Sequence, residues 1–390
     1  MPSFQFDQYD LPPHTEALRQ EVREFLAVEL EGRTPRQRAE TWNGLDAQFS
    51  RKLAARGWIA MTWPKRYGGH ERSAFERYVV CEELLAAGAP VAYHWIADRQ
   101  SGPLLLRFGT EEQRERILPR VARGELCLCI GMSEPDSGSD LASLRTRATR
   151  TDGGWVVNGR KVWTTYAHEA QYMIALFRTE PVDPAHRHAG LSQFLVDMST
   201  PGISLSPIYN MLGEHHFNEV ILEDVFVPDT ALVGTVGDAW RQVNAELAYE
   251  RSGPERYLSS NLLLQEMVRE ASKRAQDTDD RGSERTAVEL GRLIARQRSL
   301  RRMSISVAGM LEAGESPLLE SAVVKSLGVE IEQELPQIAH DLLGAEQMGD
   351  HGTDYQQVLA YLTQSAVSFS LRGGTPEIMR GIIARGLGLR

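Results

Sequence analysis

ELCLCIGMSEPDSGSD, residues 125–140, marks the change from one kind of sequence to another. Its first half is a short apolar run of strand length. Its second half is rich in Ser, Pro, Gly and Asp, the residues of turns. Cys127 and Cys129 stand two apart, a spacing that places both on one face of a strand, where burial is expected.

Upstream, from Leu11 to about Glu125, the pattern is helical. EALRQEVREFLAVEL (16–30), FERYVVCEELLAAG (75–88) and EEQRERILPRVARG (111–124) repeat apolar residues at helical spacing, with Gly and Pro at the joints. Downstream, LRTRATRT (144–151) loses that period. DGG (152–154) is turn material, and Asn158-Gly159 predicts a hairpin. YMIALFRT (172–179), LSQFLVDMS (191–199) and NEVILEDVFVP (218–228) continue the strand-like runs. From Ala239 the helical pattern returns. RTAVELGRLIARQRSLRRM (285–303) offers Leu290, Leu293, Ile294 and Leu300 to a core, and SAVVKSLGVEIEQELPQIAHDLLG (321–344) follows in kind. The expected fold is α+β and multidomain: an N-terminal all-α domain (1–127), a middle antiparallel β domain (128–238) and a C-terminal four-helix bundle (239–390).

The composition bounds the function. A chain of 390 residues with 42 % hydrophobic and 25 % charged residues is ordinary for a water-soluble globular protein of several domains. Its net charge of −10 disfavours a nucleic-acid partner. No apolar run reaches the length of a membrane span, and the start MPSFQFDQYD lacks the order of a signal peptide. Three cysteines make no disulfide framework, so a reducing cytoplasm is the expected compartment. His215-His216 and His186-x-His188 are not expected to bind metal, because adjacent histidines cannot easily aim at one ion and the second pair lies in a loop-like stretch.

Three stretches could carry chemistry. MSEPDSGSD (132–140) would present hydroxyls and backbone amides at a strand end, with Gly138 allowing close approach; alone it reads rather as a solvated turn. VWTT (162–165) would put Trp163 and Thr165 on one strand face, an aromatic plate beside a hydroxyl; alone it is a packing tryptophan. LRGGTPEIMRGIIARGLGLR (371–390) pairs Gly373 and Gly374 before a helix opening at Pro376.

Together, MSEPDSGSD, KVWTT, EDVFVPDTALVG and GGTPEIMRGIIARGLG stand in the order and approximate spacing of the acyl-CoA dehydrogenase family, which the chain resembles over nearly its whole length. WPKRYGG and FGTEEQRERILPRVARGE extend the likeness towards the front. The resemblance implies FAD as cofactor and α,β-dehydrogenation of an acyl-CoA thioester to the 2,3-enoyl-CoA. It implies an electron-transfer flavoprotein or similar acceptor, and a homotetramer built as a dimer of dimers. It further implies that Met132, Ser133, Gly138, Ser139, Trp163, Thr165, Thr375 and Glu377 contact the cofactor, and that Ser139, Arg251 and Gly374 contact the substrate. A partner subunit of a heteromeric dehydrogenase, and a flavin oxidase or monooxygenase on the same fold, are the rival readings.

Three departures bear on the site. The Arg-x-x-Phe-Gly run that many members carry after the first bundle helix is missing from ASKRAQDTDDRGSE, and LLGAEQMG replaces the usual Gly-Gly-x-Gly. The position immediately before the Gly-Thr of the C-terminal motif, where many members keep the catalytic glutamate, is Gly373. A minority of members place the base in a Glu-Arg pair on the first long bundle helix, and AYERSG resembles that arrangement, with Glu250 as base. Members so arranged resemble those acting on branched, long or bulky acyl groups, so the likeness implies such a substrate. On a continuous helix Glu255 would lie about 140° around from Glu250, so Glu255-Arg256 is expected to be a surface pair. LRRM and KSLG are expected to be solvated faces.

Overall fold

The computed structural model describes residues 4–243, 253–276, 283–344 and 352–389. The chain divides into two compact units: residues 46–71 with 92–249, and residues 1–45 with 72–91 and 250–390.

The first unit is built on one sheet. Its strands are β1 (Leu128–Gly131), β2 (Arg147–Thr151), β3 (Gly154–Thr165), β4 (Tyr172–Arg178), β5 (Leu191–Asp197), β6 (Ile203–Tyr209), β7 (His215–Pro228) and β8 (Leu232–Val233). The order is β6-β7-β3-β2-β4-β5-β8, with β1 beside β4. Pairing is antiparallel except for β1 with β4 and a single β2–β4 bridge. Met173 to Phe177 on β4 and Leu191 to Val196 on β5 are buried at successive positions, so both faces are covered, and β4 reads as a continuous apolar run rather than an alternating one. The thiols of Cys127 and Cys129 are buried as their spacing predicts. Burial pushes Cys127 up to about 12 and Cys129 well above its ordinary value.

The turn read at DGG (152–154) is present, and the hairpin expected at Asn158-Gly159 is not. Thr151 pairs with Gly154, so Asp152 and Gly153 make the two-residue turn, with Gly153 at φ +72. Asn158-Gly159 lies inside β3, where the register with β7 slips. Gly159 is needed there for another reason: a Cβ would press on the Thr146 backbone.

The second unit is helical. Thr15–Glu29 and Ala74–Ala87 pack together, and the second of these opens on a capping box between Ser73 and Glu76 and closes on Gly88 at φ +73. Four further helices, Asn261–Arg274, Ser283–Glu312, Leu318–Leu343 and Asp354–Ser365, are followed by Pro376–Gly386. Phe75, Tyr78, Val79, Ile305 and Ala308 form one apolar cluster. Beside it Glu82 takes both Arg19 and Arg301, and Glu83 takes Arg19 and Arg23. The Tyr78 and Tyr257 hydroxyls share a hydrogen bond of 2.5 Å. Leu290, Leu293 and Leu300 are buried as their spacing predicts, but Ile294 is 42 % exposed. KSLG is not a solvated face: Lys325 is 1 % exposed, because backbone oxygens on a neighbouring turn receive its ammonium.

Candidate active site

On the sheet, the site residues gather around a break in β3. The ladder with β7 slips between Lys161 and Thr164, which frees the backbone of Val162 and Trp163. The Val162 N–H turns away and donates to the Ser133 carbonyl at 2.9 Å. Trp163 adopts φ +59, a backbone conformation that a bulky residue rarely takes. Its indole is 60 % exposed and meets Phe217 edge-on, ring centroids 6.0 Å apart. Thr165 pairs with Phe217 and is half-buried.

Lys161 joins this strand to the MSEPDSGSD loop. Its fully buried ammonium donates to the Met132 carbonyl at 3.2 Å and to Glu134 Oε1 at 2.7 Å. The Glu134 carboxylate also accepts the N–H groups of Arg145 and Thr146, at 2.6 and 2.9 Å. Burial pushes the Glu134 carboxyl up, but the charge and hydrogen bond of Lys161, with those N–H groups, hold it below its ordinary value. Burial in turn pulls the Lys161 ammonium down, to about 8, against the attraction of Glu134. Met132 packs on the cluster of Leu144, Leu176, Leu191, Ala239 and Val243. Ser133 is half-buried, and Gly138 and Ser139 are exposed. A Cβ at Gly138 would meet nothing within 4 Å, so the packing of this chain does not itself demand a glycine there.

These residues fit a flavin. An uncovered aromatic plate stands on the same strand as the Thr165 hydroxyl, and the loop tied to that strand carries Ser133, Ser139 and a bare glycine. Each carboxylate of the loop is matched by a cation: Glu134 by Lys161, Asp136 by Arg145 at 3.8 Å and Asp140 by Arg187 at 2.7 Å. An anionic cofactor therefore meets no unpaired acid on this segment.

In the helical unit, Glu250 and Arg251 lie outside the described residues. Gly253 is extended, Pro254–Arg256 is a single 3-10 turn, and helix Asn261–Arg274 begins further on, so Glu255 is not on a continuous helix. Glu255 and Arg256 are 5 % and 2 % exposed, which corrects their reading as a surface pair. Gly328 allows this: it lets the Arg256 carbonyl lie directly on helix Leu318–Leu343, where a Cβ would collide with it. The Arg256 guanidinium sits beside Gly373, and a Cβ on Gly373 would be 2.8 Å from Nη2.

Further groups hold the C-terminal motif to the same turn. Arg372 Nη2 donates to Ser259 Oγ at 2.6 Å and to the buried Glu332 at 2.9 Å, while its guanidinium stacks on Trp42 and Phe369 at 4.2 Å. Glu332 also accepts the Ser259 N–H at 2.7 Å. Lys325 donates to the carbonyls of Ser370 and Gly374. Gly373 and Gly374 take φ +68 and +101. Thr375 caps helix Pro376–Gly386, with Pro376 in its first turn. Glu377 is exposed, and hydrogen bonds from its own N–H and from Thr375 hold its carboxyl below the ordinary value.

Sequence reasoning missed Lys161, Glu134, Lys325, Glu332 and Arg372 as the groups that position these motifs. A lysine in an apolar strand is a weak signal, and a partner on a distant segment of the chain leaves no local pattern. His215 stacks on His168 at 3.8 Å and bonds Asn218 at 2.8 Å. Among the described residues no group of three or more His, Cys, Asp or Glu side chains could hold a metal, and no helix is long and apolar enough to cross a membrane.

Comparison with known proteins bears on the family and the fold. The family models described as the N-terminal, middle and C-terminal domains of acyl-CoA dehydrogenase match residues 12–125, 129–225 and 237–388. Acyl-CoA dehydrogenase FadE34 of Mycobacterium tuberculosis is 36 % identical over 86 % of this chain, which spans 45 % of that protein's length. Acyl-CoA dehydrogenase IpdE1 of the same organism is 35 % identical, with 96 % of this chain and 97 % of that protein covered. Among solved structures, the "Tcur3481-Tcur3483 steroid ACAD" superposes with TM-score 0.86 at 28 % identity, over 98 % of this chain and 99 % of that one. The ChsE4-ChsE5 complex from Mycobacterium tuberculosis does so with TM-score 0.84 at 30 % identity, over 98 % and 100 %. With a helical N-terminal part, a sheet in the middle and helices at the end, the chain belongs to the acyl-CoA dehydrogenase family, FAD-binding oxidoreductases that act on the CH–CH bond of acyl-CoA thioesters.

Proposed function

We propose that this chain converts a branched, long or bulky acyl-CoA to its 2,3-enoyl-CoA, with Glu250 removing the α-proton. The observation that carries this reading is at Gly373. The position has no side chain, and the Arg256 guanidinium fills the space beside it, so the base must come from another segment. AYERSG supplies a glutamate four residues before Pro254 in the sequence. A desolvated carboxylate suits the weakly acidic α-proton of a thioester, since burial raises its proton affinity. Bound FAD supplies the acceptor, at N5, for the β-hydrogen leaving as hydride. Met132, Ser133, Gly138, Ser139, Trp163 and Thr165 are the residues we assign to the flavin, and Thr375 and Glu377 those for the rest of the dinucleotide. Ser139, Arg251 and Gly374 are assigned to the thioester.

The substrate class rests on the base position and on the likeness to a structure named a steroid ACAD. An electron-transfer flavoprotein or similar partner is the proposed acceptor, and a homotetramer the proposed assembly. The second reading, a subunit of a heteromer, is favoured by the 30 % likeness to a complex of two named chains. It predicts a chain that holds FAD only when a partner is co-expressed. The test of the substrate class is anaerobic bleaching of the bound flavin by a panel of acyl-CoA thioesters. Ring-bearing or branched thioesters should reduce the flavin faster than butyryl-CoA. A clear preference for butyryl-CoA contradicts the proposal, and oxygen consumption with oxygenated product points instead to oxidase or monooxygenase chemistry.

A further inference from the structure

Lys161, fully buried in the sheet, lies directly below the break in β3. The residue two places further on, Trp163, is the exposed plate of the flavin assignment. Three links cross from this strand to the loop: Lys161 to the Met132 carbonyl, Val162 N–H to the Ser133 carbonyl, and Lys161 to Glu134. Glu134 is itself fixed from the other side by the backbone N–H groups of Arg145 and Thr146, at the approach to β2. The loop is closed on itself as well, since Glu134 and Ser137 exchange backbone hydrogen bonds of 2.8 and 3.0 Å.

A structural purpose alone explains such a pair poorly. Two charges taken out of water gain little net stability, and apolar residues of similar volume often serve as well. What a hydrogen-bonded ion pair of this kind gives is a fixed geometry: one ammonium can meet Met132 O and Glu134 Oε1 together only if strand and loop hold one relative position. The two segments so locked carry Met132 and Ser133 on one side and Trp163 and Thr165 on the other, which are the flavin contacts assigned above.

We propose that Lys161 and Glu134 are positioning residues of the cofactor site, setting the Met132–Ser133 segment against the Trp163 plate so that one flavin ring meets both. The inference rests on the flavin assignment under Proposed function. Neither residue is expected to touch the flavin; they act through the loop and the strand.

The test uses the full chain stripped of FAD and reconstituted. Lys161→Met keeps most of the length of the side chain and removes the ammonium. Glu134→Gln removes the charge and keeps one oxygen, an acceptor for one of the Arg145 and Thr146 N–H groups, which bond different carboxylate oxygens. Each should weaken FAD binding at least tenfold, read by quenching of FAD fluorescence, and should change the visible circular dichroism of the flavin that remains bound. Should either single variant fail to fold because a buried charge is left unpaired, the double variant Lys161→Met/Glu134→Gln carries no unpaired charge and should fold, with the same weakened binding and altered dichroism. A folded variant, single or double, with wild-type FAD affinity and an unchanged flavin spectrum overturns the proposal. If that variant is silent while Trp163→Ala weakens FAD binding, only the positioning role fails. If the wild-type chain takes up no FAD under any condition, the flavin assignment fails and this inference with it.

Discussion

At Gly373 a backbone angle and a neighbouring guanidinium decide together what the position can do. Its φ of +68 disfavours any residue with a Cβ by about 1–2 kcal/mol, and the nearest group to that Cβ is Arg256 Nη2. A glutamate introduced there would meet an arginine before it met a substrate, and an adjacent arginine lowers a carboxyl's proton affinity. Gly373→Glu in the Glu250→Gln background should therefore lower the melting temperature and recover no turnover, although other members of the family keep their base at this place. Measurable recovery would show that Arg256 moves aside. The charge of Glu255-Arg256 was plain in the sequence, but its burial was not. The cause is Gly328, on a helix well beyond that turn in the chain, which lets the turn lie against it. No local pattern reports such a contact. Lys325 is the same case, since its partners are backbone oxygens at Ser370 and Gly374.

The strands were legible because half-buried and fully buried runs differ from helical ones in period. The turn at Asp152-Gly153 was legible, but the hairpin expected at Asn158-Gly159 was not formed for a physical reason: both are good turn dipeptides, and only cross-strand pairing, of β3 with β2 and with β7, decides which of them turns. The break in β3 that exposes Trp163 was likewise invisible, because it depends on a register set by β7, a strand far along the chain. The ion pair under that break gives this element a pH signature. Glu134 is held below its ordinary value of 4.5, so its contribution to stability is present above that value and is lost as pH falls through its folded value. Lys161 is pulled from 10.5 to about 8. Between those values the unfolded chain holds a proton that the folded chain has released, so stability from this residue rises with pH across that window. Melting temperatures of the wild type and of Lys161→Met/Glu134→Gln should therefore diverge in both ranges. The wild type should lose ground below about pH 4.5 and gain it between pH 8 and 10. A constant difference from pH 3 to 10 would mean that the pair does not titrate as its burial requires.

For the whole molecule, the helical, β, helical order could be read from the change of period at residues 125–140 and again near Ala239. The division of the N-terminal helices between two compact units could not. It rests on contacts such as Gln5 with Glu320 and Arg301 with Glu82, which join segments from opposite ends of the sequence. The family was legible because its motifs are local, and the acyl group was not, because the shape of a pocket is set by many residues far apart in sequence. The central claim, that this chain dehydrogenates an acyl-CoA with Glu250 as base, is tested most directly by anaerobic titration of the FAD-loaded protein and its Glu250→Gln variant with a thioester that bleaches the wild-type flavin. The predicted result is that the variant still binds FAD and thioester, seen as a shift of the flavin spectrum, while its rate of bleaching falls by about two to four orders of magnitude. Bleaching of the variant at the wild-type rate would contradict the account and place proton abstraction on another residue.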